Sequence, residues 1–499
     1  MIIPIKKKNS LLEFGKFNFL NKTKYLSKVG WNGSSDGVSK LWRYNLHYFD
    51  DLNASKAFFR KKWHIKLLNY WVKANNVGKG IGWESYPTSL RIVNWVKWSL
   101  LGNKLPKACL ESLYLQSRWL NKRVEWHILG NHLFTNAKAL IFAGLFFSSK
   151  ESDEWLKKGL KIINNELDEQ ILSDGGNFER SPMYHSIFLE DLLDLINISK
   201  TYNRVIKKKY IYNWSKKSVK MLKWLDLMSH PDGEISFFND SAFKIAPIFS
   251  ELQNYFIRLG YSYNKPELKK FIYLADSGYL RINYKNIVGI LDVAKIGPDY
   301  IPSHAHADTL SFEISLFGLR FLVNGGTSVY EINQIRMYER STKAHNTVEI
   351  NFQNSSEVWS AFRVARRANP FDILIKETQN MTYVSCKHDG YKRLNGKPIH
   401  VRSWQFHRSS LIIKDNIEGL FKNAYAYFHF CPSIEIIKKK NNLWNLKMIN
   451  GKKITLKVKI GKGSFKRSYY SPEFGKRLNT QCLKVSLNKE DGSFVEILW

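Results

Sequence analysis

The 499-residue chain contains little cysteine, and its cysteines are scattered. The four cysteines, Cys109, Cys386, Cys431 and Cys482, form no CxxC pair. Because disulfide frameworks and zinc knuckles need closely spaced cysteines, the sequence favours neither. Long apolar runs are missing too, since no stretch approaches the roughly 18 apolar residues that indicate a membrane-spanning helix. We therefore expect no membrane span.

The first residues lack the features of a secretion signal. A very short apolar run, Met1 to Ile5, is followed at once by three lysines, Lys6 to Lys8. A signal peptide carries an apolar core of about 7–15 residues before its cleavage site. The sequence therefore predicts a cytoplasmic location, with the cell envelope or periplasm as the alternative.

Acidic residues are scarce relative to basic ones. Only 43 Asp and Glu face 77 Lys and Arg, which gives a net charge of +34. Such a charge attracts nucleic acid, an anionic membrane surface or an acidic polysaccharide, and charge alone does not choose among them. No lysine cluster alternates with aromatics in an RNA-binding pattern, and no helix-turn-helix or zinc-finger motif occurs. We therefore expect no nucleic acid as the partner, while an acidic polysaccharide or oligosaccharide and an anionic membrane surface both stay open.

The chain is long enough for two domains, and its hydrophobic pattern changes near residue 265. Helical periodicity recurs from about residue 55 to 260, for example over 241–259 and over 88–101, where Thr88 is the expected N-cap. From about residue 275, short alternating segments such as 310–316 and 454–460 indicate half-buried strands. The order predicts helical hairpins, arranged as a solenoid or a closed toroid, followed by an antiparallel β-sandwich.

Four polar clusters carry the candidate chemistry. They are Trp126 to Leu133, which contains Gly130-Asn131-His132; Asn177 to His185; His304-Ala305-His306-Ala307-Asp308 with Asn324 to Thr327 and Tyr330; and Arg340 to Val348 around His345. The third cluster is the most informative, because it brings two histidines and an aspartate together immediately before a strand. If this run is extended, His304 and His306 point to the same face.

The second cluster has the sequence of a helix start. Ser181 is a plausible N-cap, Pro182 occupies the favoured first helical position, and Tyr184 and His185 fall in the first turn. Taken alone, the His304–Asp308 run is as compatible with a satisfied turn as with a site, and the other three clusters are more typical of ordinary capping and packing than of catalysis. Together they place proton-handling side chains at the ends of elements, where sites are usually built.

In their order, the four clusters resemble the heparinase II/III-like polysaccharide lyases, a family with relatives that act on alginate. The resemblance extends from about residue 40 to the last strands and is most specific between 300 and 366. It implies an N-terminal incomplete (α/α) toroid and a C-terminal antiparallel β-sandwich. The implied division is an N-terminal extension over 1–50, a toroid over 51–265 and a sandwich over 266–499.

The resemblance also implies an activity, the β-elimination of uronic-acid polysaccharides in surface glycan metabolism. This chemistry needs a group that neutralises the uronate carboxylate, a base for the C5 proton and an acid for the departing O4. By resemblance, Asn131 binds the carboxylate, and His132 assists it or acts as the base for one epimer. Tyr184 is the implied base, and His304 is the implied acid or carboxylate partner.

Further residues follow from the same resemblance. The implied substrate-binding residues are Glu179, Arg180, His185, Tyr330 and Arg340. No cofactor is expected to be required, and the metal that the resemblance implies is a structural zinc ion. Its ligands would be His306, Asn324 and His345. Asn324 departs from the family pattern, which has an aspartate there, and its amide is a neutral, weaker ligand.

Other functions stay open at this point. A glycoside hydrolase would need two carboxylates beside the scissile bond, for which Asp174, Glu179 and Asp240 are the candidates. A non-catalytic glycan-binding protein of a polysaccharide assembly pathway is a second alternative. A nucleic-acid binder driven by charge alone is a third, and it would show steep salt dependence.

Overall fold

The computed structural model describes residues 1–33, 37–203 and 205–499. Helices fill most of the first half of the chain, and strands fill most of the second, as the sequence predicts. The chain forms two compact units. The first contains Met1–Ile171, Ile187–Lys220 and Ser250–Tyr263, and the second contains Leu172–Ser186, Met221–Phe249 and Asn264–Trp499. Among the described residues, no helix is both long and apolar enough to cross a bilayer.

The helices in chain order are α1 Leu26–Val29, α2 Lys40–Tyr48, α3 Lys61–Ala74, α4 Ser85–Leu100, α5 Lys107–Asn121, α6 Gly130–Phe146, α7 Lys150–Gln170, α8 Pro182–Thr201, α9 Lys208–Leu227, α10 Phe249–Arg258 and α11 Gln334–Glu339. The strands are β1 Leu11–Glu13, β2 Lys16–Phe19, β3 Lys22–Tyr25, β4 Phe271–Leu274, β5 Tyr279–Tyr284, β6 Ile287–Asp292, β7 Phe312–Leu316, β8 Leu319–Leu322, β9 Val348–Ile350, β10 Val358–Trp359, β11 Arg363–Val364, β12 Pro370–Glu377, β13 Met381–His388, β14 Ile399–His407, β15 Ser410–Glu418, β16 Ala424–His429, β17 Glu435–Lys440, β18 Leu443–Lys447, β19 Lys453–Ile460, β20 Lys462–Glu473, β21 Lys476–Ser486 and β22 Ser493–Leu498.

The first unit is built from packed helices around α4 and α6. Helix α4 packs against α2, α5 and α6, and α6 packs against α7. Two glycines permit close contact between α6 and α7. A Cβ on Gly159 would lie 2.8 Å from the Ala137 carbonyl oxygen, and one on Gly144 would lie 2.8 Å from the Ser152 carbonyl oxygen.

Two predicted helix boundaries are wrong. Helix α4 begins at Ser85 rather than after Thr88, whose hydroxyl donates to the Gly82 carbonyl at 3.2 Å. Pro87 is tolerated inside α4 because first-turn N–H groups have no intrahelical acceptor. The predicted helix over 241–259 is shorter, covering only α10, because the Phe243 N–H pairs with the Pro472 carbonyl at 2.7 Å instead.

The second unit contains three larger antiparallel sheets. Their strand orders are β4-β5-β6-β7-β8, β20-β21-β16-β9, and β12-β13-β14-β15-β22-β19-β18-β17. One apolar core joins inward-facing residues of all three, for example Leu280, Val348 and Trp404, each fully buried. The alternating burial of strands such as β13 and β14 follows from the two-residue side-chain period.

Strand β7, predicted to be half-buried, is buried on both faces. Glu313 is accommodated there because three groups contact its carboxylate. The Phe237 N–H donates at 3.0 Å, the Asn324 N–H donates at 2.8 Å, and His230 Nε2 lies at 3.0 Å. Residues 293–311, which include the His304–Asp308 run, form the connection between β6 and β7 and are not a strand.

Candidate active site

The centre of the site in the second unit is the fully buried carboxylate of Asp240. His304 Nδ1 lies 2.9 Å from its Oδ2, and His306 Nε2 lies 2.9 Å from its Oδ1. The Arg336 guanidinium binds both oxygens, and its Nη2 donates to Oδ2 at 2.8 Å. The two histidines thus reach one carboxylate from a loop, rather than by alternation along a strand.

The charge state of Asp240 follows from these contacts. Burial alone would raise the pKa of Asp240, but the charge of Arg336 and the hydrogen bonds from the two histidines outweigh it. They hold the pKa of Asp240 well below its usual value, so the group is a permanent anion. Arg336 is fixed in turn by the Ala361 carbonyl, which accepts from its Nε at 3.0 Å.

Tyr184 is positioned by the predicted helix start. Helix α8 begins at Pro182, and the Tyr184 N–H donates to the Ser181 hydroxyl at 3.2 Å, which confirms Ser181 as the cap. The Ser181 hydroxyl itself donates to the Asp240 carbonyl at 2.5 Å. One serine therefore ties the first turn of α8 to the residue that anchors both histidines.

The Tyr184 phenol meets two other predicted site residues. Its hydroxyl lies 2.9 Å from the Tyr330 hydroxyl, and its ring packs on the His304 imidazole with 3.8 Å between centroids. Burial and the negative charge of Asp240 raise the pKa of Tyr330 well above its ordinary value. Tyr330 therefore keeps its proton and is placed to donate it to the Tyr184 oxygen.

His304 lies between two carboxylates. Its Nδ1 faces Asp240, and its Nε2 lies 3.5 Å from Oε2 of the buried Glu179. Nδ1 is therefore at hydrogen-bond distance from a carboxylate, whereas Nε2 makes only the longer ionic contact with Glu179. His304 is partly exposed, unlike His306, so it is the histidine of this pair that can meet a ligand.

Three of the predicted substrate-binding residues are engaged with backbone groups inside the second unit. His185 is fully buried, accepts from the Asn177 N–H at 3.2 Å and donates to the Met221 carbonyl at 3.0 Å. Arg340 donates to the carbonyls of Ala305, Ser360 and Arg363. Arg180 donates to the Lys295 carbonyl at 2.6 Å. These contacts give the three side chains roles in shaping the loops of the site.

Asn131 and His132 lie in the first unit, at the start of α6, and both are partly exposed. The two preceding residues, Leu129 and Gly130, both have positive φ, which turns the chain sharply into the helix. His132 Nδ1 lies 3.2 Å from Glu125 Oε1, and its ring packs 4.4 Å from the Tyr86 ring. These contacts orient the His132 ring.

Sequence reasoning missed Arg336 and Glu125, and it considered Asp240 only for hydrolysis. Arg336 is 96 residues from Asp240 in the sequence, and no local motif links them. Glu125 stands only six residues before Asn131 in the sequence. Its signal was a lone carboxylate next to an aromatic and two histidines, which sequence alone does not distinguish from a surface residue.

Two family models match the chain in sequence. The Heparinase II/III N-terminus model matches residues 59–258, and the Heparinase II/III-like, C-terminal model matches residues 266–495. The chain belongs to the heparinase II/III-like family.

Named relatives of this heparinase II/III-like chain include two heparin-sulfate lyases. The protein from Bacteroides stercoris is 28% identical over 338 residues, which cover 63% of this chain and 47% of that protein. The protein from Pedobacter heparinus is 27% identical over 244 residues, covering 45% of this chain and 36% of that protein. The chain therefore spans about half the length of these relatives or less.

Solved structures of the family share its fold. Heparinase III matches with a TM-score of 0.76 at 18% identity, covering 94% of this chain and 79% of that one. The heparan sulfate lyase of Pedobacter heparinus matches with a TM-score of 0.64 at 19% identity, covering 97% and 81%. Such similarity confirms a helical N-terminal region followed by a sheet-rich C-terminal region.

The metal site implied for heparinase II/III-like chains can be tested by counting protons around His306 and His345. His345 Nδ1 lies 2.8 Å from the Ser341 carbonyl, and His306 Nε2 lies 2.9 Å from Asp240, so both outer nitrogens must carry the hydrogen. The inner nitrogens, His306 Nδ1 and His345 Nε2, are 3.1 Å apart. In neutral rings both therefore present lone pairs to the same gap, which suits a cation.

The pKa directions support this description. Burial lowers the pKa of His306 to about 4, and burial also lowers the pKa of His345. An extra proton in the gap is therefore disfavoured at neutral pH. Outer N–H groups held by a carboxylate and a carbonyl are the surroundings that metal-binding histidines usually have.

A second histidine pair in the same unit shows the opposite arrangement. The Gly390 N–H donates to His388 Nδ1 at 3.1 Å, His388 Nε2 lies 3.2 Å from His400 Nδ1, and His400 Nε2 lies 2.8 Å from Asp415. Here the Gly390 N–H supplies the hydrogen for the first contact. Two neutral rings then place one hydrogen in each of the other two contacts, His388 with His400 and His400 with Asp415. The His388–His400 pair is complete without a cation.

The third expected ligand fits the metal less well. Asn324 Nδ2 donates to the Phe237 carbonyl at 2.9 Å, and its Oδ1 accepts from the Asn346 N–H at 3.1 Å. Within the described ranges, no three His, Cys, Asp or Glu side chains are grouped as metal ligands. His306 and His345 thus fit a metal, while Asn324 offers only a neutral oxygen that already accepts a hydrogen bond.

Proposed function

We propose that this chain is a polysaccharide lyase that cleaves an acidic, uronic-acid-containing polysaccharide by β-elimination, a carbon–oxygen lyase reaction. The observation that carries the proposal is the contact of Tyr184 with Tyr330 and His304, next to the permanent anion Asp240. The names of the similar proteins, heparin-sulfate lyase and heparan sulfate lyase, state their substrates. We infer an acidic glycosaminoglycan as the substrate class here, because a chain with a net charge of +34 attracts polyanions.

The proposed reaction assigns one task to each group. Tyr184 takes the C5 proton as a phenolate, which the Tyr330 hydroxyl stabilises by donating to it. His304 donates to the leaving O4 or to the uronate carboxylate, with Asp240 fixing the orientation of its ring. For Asn131 and His132 of the first unit, the roles of amide and imidazole donors to the carboxylate are implied by the family resemblance alone and stay predictions. Withdrawing charge from that carboxylate makes the C5 proton more acidic.

The finer architecture belongs to the same proposal. The helices between 51 and 265, after an extension over 1–50, would form an incomplete toroid, and residues 266–499 would form a β-sandwich. We propose a cytoplasmic or cell-envelope role in surface glycan metabolism, and a reaction that requires no cofactor. A zinc ion held by His306 and His345 would be structural, because both ligands are buried.

A glycoside hydrolase is disfavoured by the surroundings of its candidate carboxylates. Asp174 Oδ2 accepts from both the N–H and the hydroxyl of Ser277 at 2.8 Å, and its Oδ1 accepts from the Gly176 N–H at 2.9 Å. Asp240 is bound by Arg336 and two histidines. Both Asp174 oxygens are therefore occupied by donors and Asp240 is held as an anion, so neither carboxyl is placed as the proton donor that such an enzyme needs.

The activity is tested on a panel of uronic-acid polymers, including heparan sulfate, chondroitin and alginate. We expect a product that absorbs in the near ultraviolet, because β-elimination leaves a double bond conjugated to the carboxylate. New reducing ends without this absorbance would identify a hydrolase instead. Polymer binding without any product would identify a glycan-binding protein.

We expect Asn324→Asp to raise zinc affinity by about 10–100-fold, because a carboxylate replaces the neutral amide oxygen at the position that the family resemblance implies for the third ligand. Competition with a chromophoric chelator measures the affinity. Asn324→Asp also loses the hydrogen bond to the Phe237 carbonyl, because an aspartate cannot donate to it. The stability of each variant with zinc is therefore compared with that of its own metal-free form. His345→Ala should remove the gain, whereas His388→Ala in the proton-complete pair should leave it unchanged. Equal affinity for wild type and Asn324→Asp would exclude Asn324 as a ligand position.

A further inference from the structure

Two adjacent phenylalanines of the first unit are almost fully exposed. Phe58 and Phe59 lie on the 3₁₀ turn Ala57–Arg60, with 73% and 72% of their surfaces exposed and ring centroids 3.9 Å apart. Single exposed apolar residues are common on soluble proteins, but a pair of exposed aromatic rings in contact is a patch that needs an explanation. Neither ring belongs to the catalytic residues described above.

The turn that carries these rings is rigidly anchored. Arg60 is buried and donates through Nε to Asp51 Oδ2 at 2.8 Å and through Nη2 to Asp51 Oδ1 at 3.1 Å. His64 Nε2 contacts the same carboxylate at 2.8 Å, and the Ser10 N–H donates to it at 2.9 Å. The exposed rings are thus held outward by a buried ion pair, so little conformational entropy is lost when they bind.

A second apolar group lies beside the same helix. Leu12 of β1 and Phe14 of the turn that follows it are 44% and 49% exposed. The Lys66 ammonium of α3 lies 5.8 Å from the centre of the Phe14 ring, which places this turn next to α3. The Phe58–Phe59 turn leads directly into the first residue of α3. Both apolar groups therefore adjoin one helix.

Exposed lysines accompany these apolar groups. Lys56, Lys61, Lys62 and Lys66 are all exposed, and none forms an ion pair with a carboxylate in the part of the chain that the structure describes. Residues 1–74 contain fifteen Lys and Arg but only four Asp and Glu, a net charge of +11 out of +34. About a third of the excess charge thus falls in the segment that carries the exposed rings.

We propose that this face, defined by Phe58, Phe59, Phe14 and the lysines around them, binds an anionic membrane surface without crossing it. The rings would enter the boundary between headgroups and acyl chains, and the lysines would pair with lipid phosphates while their stems cover apolar surface. This inference does not depend on the lyase proposal, because it uses none of the site residues.

Other occupants fit the face less well. A second copy placed by a twofold axis would bring two segments 1–74, each of net charge +11, together at the interface. The repulsion between them opposes association. A soluble acidic polysaccharide would pair with the lysines, but its hydroxyl- and carboxylate-bearing rings would cover the two exposed phenyl rings less completely than the acyl-chain boundary of a bilayer does. An anionic bilayer satisfies both the charge and the apolar surface.

The test is co-sedimentation of the full chain with vesicles of phosphatidylcholine alone or of phosphatidylcholine and phosphatidylglycerol at about 3:1. We expect binding to the anionic vesicles only. Phe58→Ser combined with Phe59→Ser should weaken the vesicle partition coefficient by about tenfold or more, and Lys61→Glu with Lys62→Glu should do the same. The glutamates fall in the first turn of α3, where negative charge suits the helix dipole, so the fold should persist.

Matched variants of the second unit serve as controls. Ile449→Ser removes a side chain that is 78% exposed, and Lys452→Glu with Lys453→Glu reverses two exposed lysines. Both should leave vesicle binding unchanged. The inference is overturned if neutral vesicles bind equally well or if the controls lose as much binding. It is also overturned if the phenylalanine variant abolishes a dimer in sedimentation analysis, or if it binds vesicles as wild type does. Cleavage of a soluble polymer should be unaffected, which separates this result from failure of the lyase proposal.

Discussion

Tyr184→Phe is expected to lower kcat on a uronate polymer by about 10²–10⁴-fold while leaving polymer binding nearly unchanged. The substitution removes only the hydroxyl that would take the C5 proton. The phenyl ring still packs on His304. The residue 184 N–H still donates to the Ser181 hydroxyl, because this cap does not involve the side chain of residue 184. Steady-state rates from the ultraviolet absorbance of the product, together with equilibrium binding of the polymer, measure the two effects separately.

Tyr284→Phe is the matched control for this experiment. Its hydroxyl lies 2.9 Å from the Thr382 hydroxyl, the same length as the Tyr184–Tyr330 contact and in the same unit. Loss of that hydrogen bond should cost about 1 kcal/mol of stability and leave kcat unchanged. Tyr330→Phe should give an intermediate loss of kcat, because it retains the base and removes only its donor. Full activity of Tyr184→Phe would show that another group is the base.

Local sequence signals predicted the parts of the site that depend on neighbouring residues. The Ser181-Pro182 helix start was confirmed because capping is decided within four residues, and it fixes where Tyr184 lies. The change from helices to strands was visible because periodicity is also local. The predicted end of the 241–259 helix was confirmed within one residue, since α10 ends at Arg258. Its predicted first turns are not helical, because the Phe243 N–H donates to the carbonyl of Pro472, far along the chain.

Long-range ion pairing could not be read from the sequence. The Asp240–Arg336 pair and the Asp415–Arg402 pair join residues 96 and 13 positions apart, and neither spacing belongs to a motif. The same limit applies to the histidines. The sequence grouped His304 with His306 correctly, yet it gave no sign that the His306–His345 pair lacks a proton while the His388–His400 pair is complete. That difference depends on the backbone group at the end of each pair. The Ser341 carbonyl accepts from His345, whereas the Gly390 N–H donates to His388.

The two buried aspartates permit the sharpest separation of stability from catalysis. We expect Asp240→Asn to lower the free energy of unfolding by about 3–5 kcal/mol, because the buried charge of Arg336 loses its counter-ion. Asp415→Asn should lower the free energy of unfolding by a similar amount, since it removes the carboxylate that Arg402 and His400 contact and leaves the buried Arg402 charge without a counter-ion. Urea unfolding followed by circular dichroism measures both values.

Catalysis should respond to only one of these changes. Asp240→Asn removes the acceptor that orients His304 Nδ1, so kcat in the folded protein should fall by about 10²-fold or more. An asparagine amide also brings its own N–H groups toward donors, which disfavours the ring orientation that the reaction uses. Asp415→Asn should keep kcat within about twofold under conditions where it is folded, because His400 and His388 form a closed set of hydrogen bonds with no partly exposed ring. If both variants lost kcat in proportion to stability, Asp240 would be a structural residue only. A loss confined to Asp240→Asn would mark it as the residue that positions the proposed acid.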